Sequence, residues 1–143
     1  MKKEKLKFLK PKKGNSIGQW LVEQGISAGF PSPADDFKEI RISLDKELVR
    51  NQESTFYARV CGDSMFGAGI DDGDLLIIDR SLNPENGRIA VCYIDGDFTV
   101  KRIVKENGRL YLKAENKRYK PIELSEDSEL IIWGVVEYVI KKV

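Results

Sequence analysis

At 143 residues the chain has the length of one domain, long enough to bury roughly 68% of the surface its unfolded form exposes. Its 24 lysines and arginines face 23 aspartates and glutamates, so there is no global field to draw polyanions and any basic function must be local. The chain contains no histidine, which excludes a Ser-His-Asp site.

Two cysteines, Cys61 and Cys92, have no metal-ligand spacing and sit inside strand-like runs, as reduced core thiols of a cytoplasmic protein would. The charged N-terminus lacks the apolar core of about 7 to 15 residues that marks a secretory signal. No run approaches the ~20 apolar residues of a membrane span, so a soluble, cytoplasmic protein is expected.

In chain order, residues 1–13 carry Lys2, Lys3, Lys5, Lys7, Lys10, Lys12 and Lys13 against Glu4. A mobile, solvated arm is expected, with at most a weak attraction to DNA phosphates or an acidic partner surface. It lacks the aromatic interleaving that single-strand binders use. Next, Ile17, Trp20, Leu21 and Gln24 recur at helical spacing between a capping Ser16 and Gly25. That pattern predicts a short helix or docking turn. Over residues 26–33 two prolines and small side chains favour an extended backbone, the shape a peptidase cleft takes; composition by itself reads this stretch as a linker.

From residue 37 onward, short strand-like runs alternate with turns. Strands are predicted at 37–44, Thr55–Cys61, Leu75–Asp79, 88–94, 98–105, Arg109–Lys113 and Leu130–Ile140. Asp95-Gly96 and Asn107-Gly108 are hairpin signals. The last run is apolar on both faces, which asks for burial against more than its own sheet and hints at a homodimer. Asp71-Asp72-Gly73-Asp74 lacks the alternating ligands and distal glutamate of a calcium loop, so a tight turn is expected there and no metal. The fold class is mostly β, with short antiparallel strands, little helix and a flexible N-terminal arm.

Ser64 lies just past the Thr55–Cys61 strand, where a scaffold holds loop residues in place. A serine needs a base to take its proton, and without histidine the candidate is a lysine whose burial disfavours its charge. Lys101 lies mid-run in Phe98-Thr99-Val100-Lys101-Arg102-Ile103, where a strand can carry its amine inward. Ser64 and Lys101 would make a Ser-Lys dyad, with backbone N–H groups at Asp63 and Ser64 as candidate oxyanion donors. The bland alternatives are a turn serine and a strand lysine with a solvated head.

Gly62-Asp63-Ser64-Met65, the turn at Asp71 to Asp74, Phe98-Thr99-Val100-Lys101 and Ala28-Gly29 together resemble the LexA/UmuD family of self-cleaving serine peptidases. Phe30-Pro31-Ser32-Pro33-Ala34-Asp35-Asp36 is closer to the UmuD branch, the accessory proteins of error-prone translesion synthesis, and the likeness runs from about Gly25 to the C-terminus. Alanine at position 28 is similar to the repressor branch, where the UmuD branch has cysteine.

The resemblance implies a cut between Ala28 and Gly29. Residues 1–28 would be a removable arm and 29–143 a peptidase and dimerisation domain. It also implies a homodimer, stimulation by a RecA–single-stranded DNA filament and, after cleavage, association with a Y-family polymerase in the SOS response. Neither a cofactor nor a membrane contact is implied. The competing readings are a LexA-like transcriptional regulator, for which 28 residues before the cut are too few to pack a helix-turn-helix, a membrane-anchored signal-peptidase-like enzyme, and a cleavage-inactive module that modulates a polymerase.

Overall fold

The computed structural model describes residues 5–11, 19–22, 39–124 and 130–143. The chain divides into two compact units, Met1–Pro11 with Asn51–Val143 and Lys12–Arg50. The elements are β1 (Lys5–Leu9), β2 (Gln19–Val22), β3 (Glu39–Ile42), α1 (Leu44–Leu48), β4 (Thr55–Cys61), β5 (Leu75–Asp79), β6 (Ile89–Ile94), β7 (Asp97–Glu106), β8 (Arg109–Lys113), β9 (Ile122–Glu123) and β10 (Leu130–Ile140). The mostly β fold expected from the sequence is what forms. No helix among the described residues is long and apolar enough to cross a membrane.

In the larger unit the strands form one sheet in the order β1-β4-β5-β10-β6-β7-β8-β9, every pair antiparallel. The β6–β7 and β7–β8 hairpins turn on two residues each, and Asp95, Gly96, Asn107 and Gly108 all have positive φ. Two left-handed residues in a row make the turn whose twist matches the flanking strands.

β10 lies at the centre, hydrogen-bonded to β5 on one side and β6 on the other. This accounts for its two apolar faces. Val136 joins one core cluster with Trp133 packed against it, while Ile132 packs on the other. The first cluster gathers Ala58, Val60, Met65, Ile70, Leu76, Ile78, Val91, Val100 and Val136; the second holds Ala90, Cys92, Ile103 and Leu112. Alternation along β6 sends Val91 to one cluster and Ala90 and Cys92 to the other, the period-two signature of a sheet buried on both faces. Cys61 and Cys92 are not joined in a disulfide, and Cys92 is fully buried.

Leu44, expected to end a strand, instead begins α1, and β9 was not expected; two further stretches change type. Residues 5–9, expected in a mobile arm, form β1, in register with β4 from Lys5↔Cys61 to Leu9↔Tyr57. Leu6 and Phe8 alternate with lysines, and both pack against the first core cluster, so burial at period two outweighs the charge. Gln19–Val22, expected to be helical, is strand β2, paired with β3 from Gln19↔Ile42 to Val22↔Glu39 in the smaller unit. Helices this short are marginal without tertiary support, and Trp20, Leu21 and Val22 suit a strand once a partner strand is present.

Candidate active site

Ser64 lies in the long connection between β4 and β5, which pair from Thr55↔Asp79 to Arg59↔Leu75. The neck of this loop is closed by backbone bonds. Gly73 N–H donates to the Val60 carbonyl at 2.8 Å, and Val60 N–H donates to the Asp74 carbonyl at 2.9 Å. Arg59 Nη1 donates to the Gly73 carbonyl at 2.9 Å. Gly62 leaves β4 at a φ of 119°, a conformation open to glycine, and its N–H donates to Asp72 Oδ1 at 2.9 Å. The aspartates expected to shape a tight turn therefore bond the backbone, as Asp71 N–H donating to Asp74 Oδ2 at 2.8 Å also illustrates.

Lys141, beyond β10, donates Nζ to Asp71 Oδ2 at 2.6 Å and to Asp74 Oδ2 at 2.5 Å. Those two bonds hold the Lys141 ammonium above the ordinary lysine range. Its contribution is complete below the ordinary value and lost only as pH rises through the raised one, so the tie persists at mildly alkaline pH.

Within the loop Met65 is the anchor. Its side chain is buried in the first core cluster, a burial that contributes about 1.5–3 kcal/mol. The Met65 carbonyl accepts from Ala68 N–H at 3.0 Å and Ile70 N–H at 3.2 Å, closing the short 3₁₀ turn Phe66–Ala68. Ser64, one residue before this anchor, is only 1% exposed.

Lys101 sits in the middle of β7, directly opposite Ala90 of β6, and is 7% exposed. Alternation puts it on the face that carries Ile103. This burial is what a strand that carries the side chain inward would give.

A second loop, between β8 and β9, ties these two places together. Tyr119 Oη donates to Asp63 Oδ1 at 2.8 Å, and Asn116 Nδ2 donates to the Asp63 carbonyl at 2.8 Å. Gly67 N–H donates to the Glu115 carbonyl at 2.6 Å. This approach requires glycine, because a Cβ at position 67 would collide with that carbonyl. Glu115 in turn is ion-paired with Arg102, the residue after Lys101, and the Lys101 ammonium lies 5.4 Å from the centroid of the Tyr119 ring. One tyrosine thus touches both the neighbour of Ser64 and the candidate base.

Beside the loop is a groove of about 640 Å³ lined by Phe66, Gly67 and residues 114–119. Phe66 stands 68% exposed at its edge, an apolar contact for a chain lying in it.

Asp63, next to Ser64 in the chain, and Lys101 are thereby linked through Tyr119, while Ala28 and Gly29 lie outside the described residues. Sequence reasoning missed Glu115, Asn116 and Tyr119. The only signal was an aromatic residue in a polar loop, since contacts between residues 53 and 56 positions apart leave no periodic trace.

The family described as Peptidase S24-like matches residues 21–137. Protein MucA of Salmonella typhimurium is 41% identical over 116 residues, covering 80% of this chain and 79% of that one. Protein ImpA of the same organism is 34% identical over 133 residues, covering 92% and 90%. The LexA repressor of Clostridium perfringens is 40% identical over 106 residues, 74% of this chain and 52% of the repressor. The chain belongs to the S24-like peptidase family, the LexA/UmuD group that its motifs resemble.

Proposed function

We propose that the chain cuts itself between Ala28 and Gly29 with a Ser64–Lys101 dyad. Neutral Lys101 takes the Ser64 proton, and Oγ attacks the Ala28 carbonyl. The C–N bond then breaks, the Gly29 amine leaving with the proton that Lys101 returns. Water, deprotonated by Lys101, attacks the acyl ester; Lys101 then returns that proton to Ser64 Oγ as the ester bond breaks, freeing Ala28 with a new C-terminal carboxyl group. Backbone N–H groups of Asp63 and Ser64 serve the tetrahedral oxyanion, each such donor being worth about 3–4 kcal/mol where measured.

The observation that carries this reading is the Tyr119 side chain in contact with both Lys101 and Asp63, across two buried reactive residues of a peptidase-family chain. The likeness to MucA and ImpA supports the wider reading. The shortened product acts as a cytoplasmic homodimer, an accessory subunit of a Y-family translesion polymerase in the SOS response. Cleavage is stimulated by a RecA–single-stranded DNA filament that favours the docked arm.

Purified protein incubated at mildly alkaline pH, with and without RecA filaments, tests the chemistry, and mass spectrometry locates the cut. Wild type is expected to yield fragments ending at Ala28 and beginning at Gly29, faster as pH rises because a charged lysine cannot accept a proton. Ser64→Ala and Lys101→Ala are expected to slow this by at least about a thousandfold. A wild-type chain that stays intact under every condition makes it a cleavage-inactive module instead.

A further inference from the structure

β1 occupies one end of the sheet and, among the described residues, it is the strand that covers the outer edge of β4. Residues 5–11 belong to the same compact unit as 51–143, although the intervening residues 12–50 form the other. The strand therefore sits on the body by contacts of its own. Phe8 faces buried Ala58, a small residue that leaves room for a ring. The ring meets Phe98 of β7 edge-on at 4.9 Å and Trp133 of β10 at 4.7 Å.

Leu6, two positions earlier, lies opposite Val60 and packs on the same cluster. Past the strand, Lys10 Nζ donates to the Glu53 carbonyl at 2.7 Å and lies 4.2 Å from the Phe56 ring centroid. This is the anatomy of strand addition, where main-chain pairing supplies affinity and pockets for alternate side chains supply specificity.

We propose that the β4 edge, with its floor of Phe98 and Trp133, is a strand-accepting peptide site whose built-in ligand is residues 5–10. Cutting the connecting segment then nicks the molecule without shedding this strand, and a basic extended peptide with large apolar residues two positions apart takes its place by exchange. Bond cleavage and loss of the N-terminal segment become separate events. A vacated β4 would present a row of unpaired N–H and C=O groups, an edge that folded sheets keep covered.

The test does not depend on where the chain cuts itself. A protease recognition sequence is inserted after Lys13 in the full-length Ser64→Ala protein, the purified chain is nicked there, and the product is passed over a sizing column. The N-terminal fragment is expected to elute with the body. Elution of the fragment alone overturns the proposal and leaves the Ser64–Lys101 reading standing. A synthetic peptide of residues 1–13 is expected to displace an isotope-labelled fragment from the nicked protein, and a peptide carrying Phe8→Ala to do so at least tenfold less well. Leu9→Ala, at a position 55% exposed, is expected to compete as wild type does. Equal competition by the Phe8→Ala peptide also overturns the proposal, and because that change is made in the peptide the folded body is untouched.

Discussion

The Ser64 loop and the middle of β7 hold the two side chains of the proposed dyad by opposite means. Lys101 is placed by a ladder: β7 lies between β6 and β8, and alternation alone decides that its side chain turns inward with Ile103. Ser64 is placed by tertiary bonds from far away in the chain, through Asn116 and Tyr119 to Asp63, through the Glu115 carbonyl to Gly67, and through the burial of Met65. A ladder distributes its hold over many similar bonds. The loop concentrates its hold in a few, so single changes there should move the serine while leaving the sheet intact.

Gly67→Ala is the sharpest way to break this comparison. The added methyl meets the Glu115 carbonyl, so the Gly67 N–H bond must lengthen and the two loops must part. Overpacking of this kind typically costs about 1–3 kcal/mol. Self-cleavage is expected to fall at least tenfold, since a misplacement of ~1 Å at a reacting atom can cost a hundredfold. Denaturant unfolding and the cleavage rate at one pH read the two effects. A variant that is destabilised yet cuts at the wild-type rate would mean that the clamp does not set the serine.

The same contrast explains what the sequence made legible. Thr55–Cys61, Leu75–Asp79, Arg109–Lys113 and Leu130–Ile140 were readable to the residue because β-branched and aromatic runs end at turn residues. Asp95-Gly96 and Asn107-Gly108 carried their turn type in their identities. Ser64 and Lys101 were readable as chemical types near a strand end and within a strand. Tyr119, Asn116 and Glu115 were not, since what they do depends on a loop folding back onto residues far earlier in the chain, Asp63 and Gly67. β1 was hidden for a different reason: its alternation of Leu6 and Phe8 lies within residues 1–13, where seven lysines mask so short a period. β2 was too short for its period to distinguish helix from strand, and only its pairing with β3 decides.

Tyr119 separates the two holds more finely, because one side chain reaches both sides. Tyr119→Phe keeps the ring near Lys101 but removes the hydrogen bond to Asp63. A bond of this kind contributes about 0.5–1.5 kcal/mol, so cleavage is expected to slow by roughly two- to tenfold with an unchanged pH profile. Tyr119→Leu removes the ring as well. Cleavage is therefore expected to fall further than in the Phe variant, and equal rates at one pH would show that the ring contact plays no part.

The smallest effect belongs to the far end of β5, where a carboxylate serves the sheet and not the site. Asp79 is 3% exposed. Burial alone would raise its pKa, but its bonds outweigh this: the Ser81 hydroxyl at 2.7 Å, the Ser81 N–H at 2.8 Å and the Ser54 hydroxyl at 2.7 Å all donate to Oδ1, and the carboxyl titrates below its ordinary value. A depressed folded-state value means that the stabilisation is fully present above the ordinary carboxylate range and is lost as pH falls through the folded-state one. Asp79→Asn keeps an acceptor without the charge. It is therefore expected to cost about 1 kcal/mol near neutral pH, the difference between charged and neutral hydrogen bonds, and that gap should close on acidification. Unfolding curves across the acid range measure it, and a gap that stays constant with pH would mean the carboxylate is not what those donors stabilise. Cleavage by this variant should match wild type at mildly alkaline pH, because the residue belongs to the ladder side of the molecule and touches neither loop that positions Ser64.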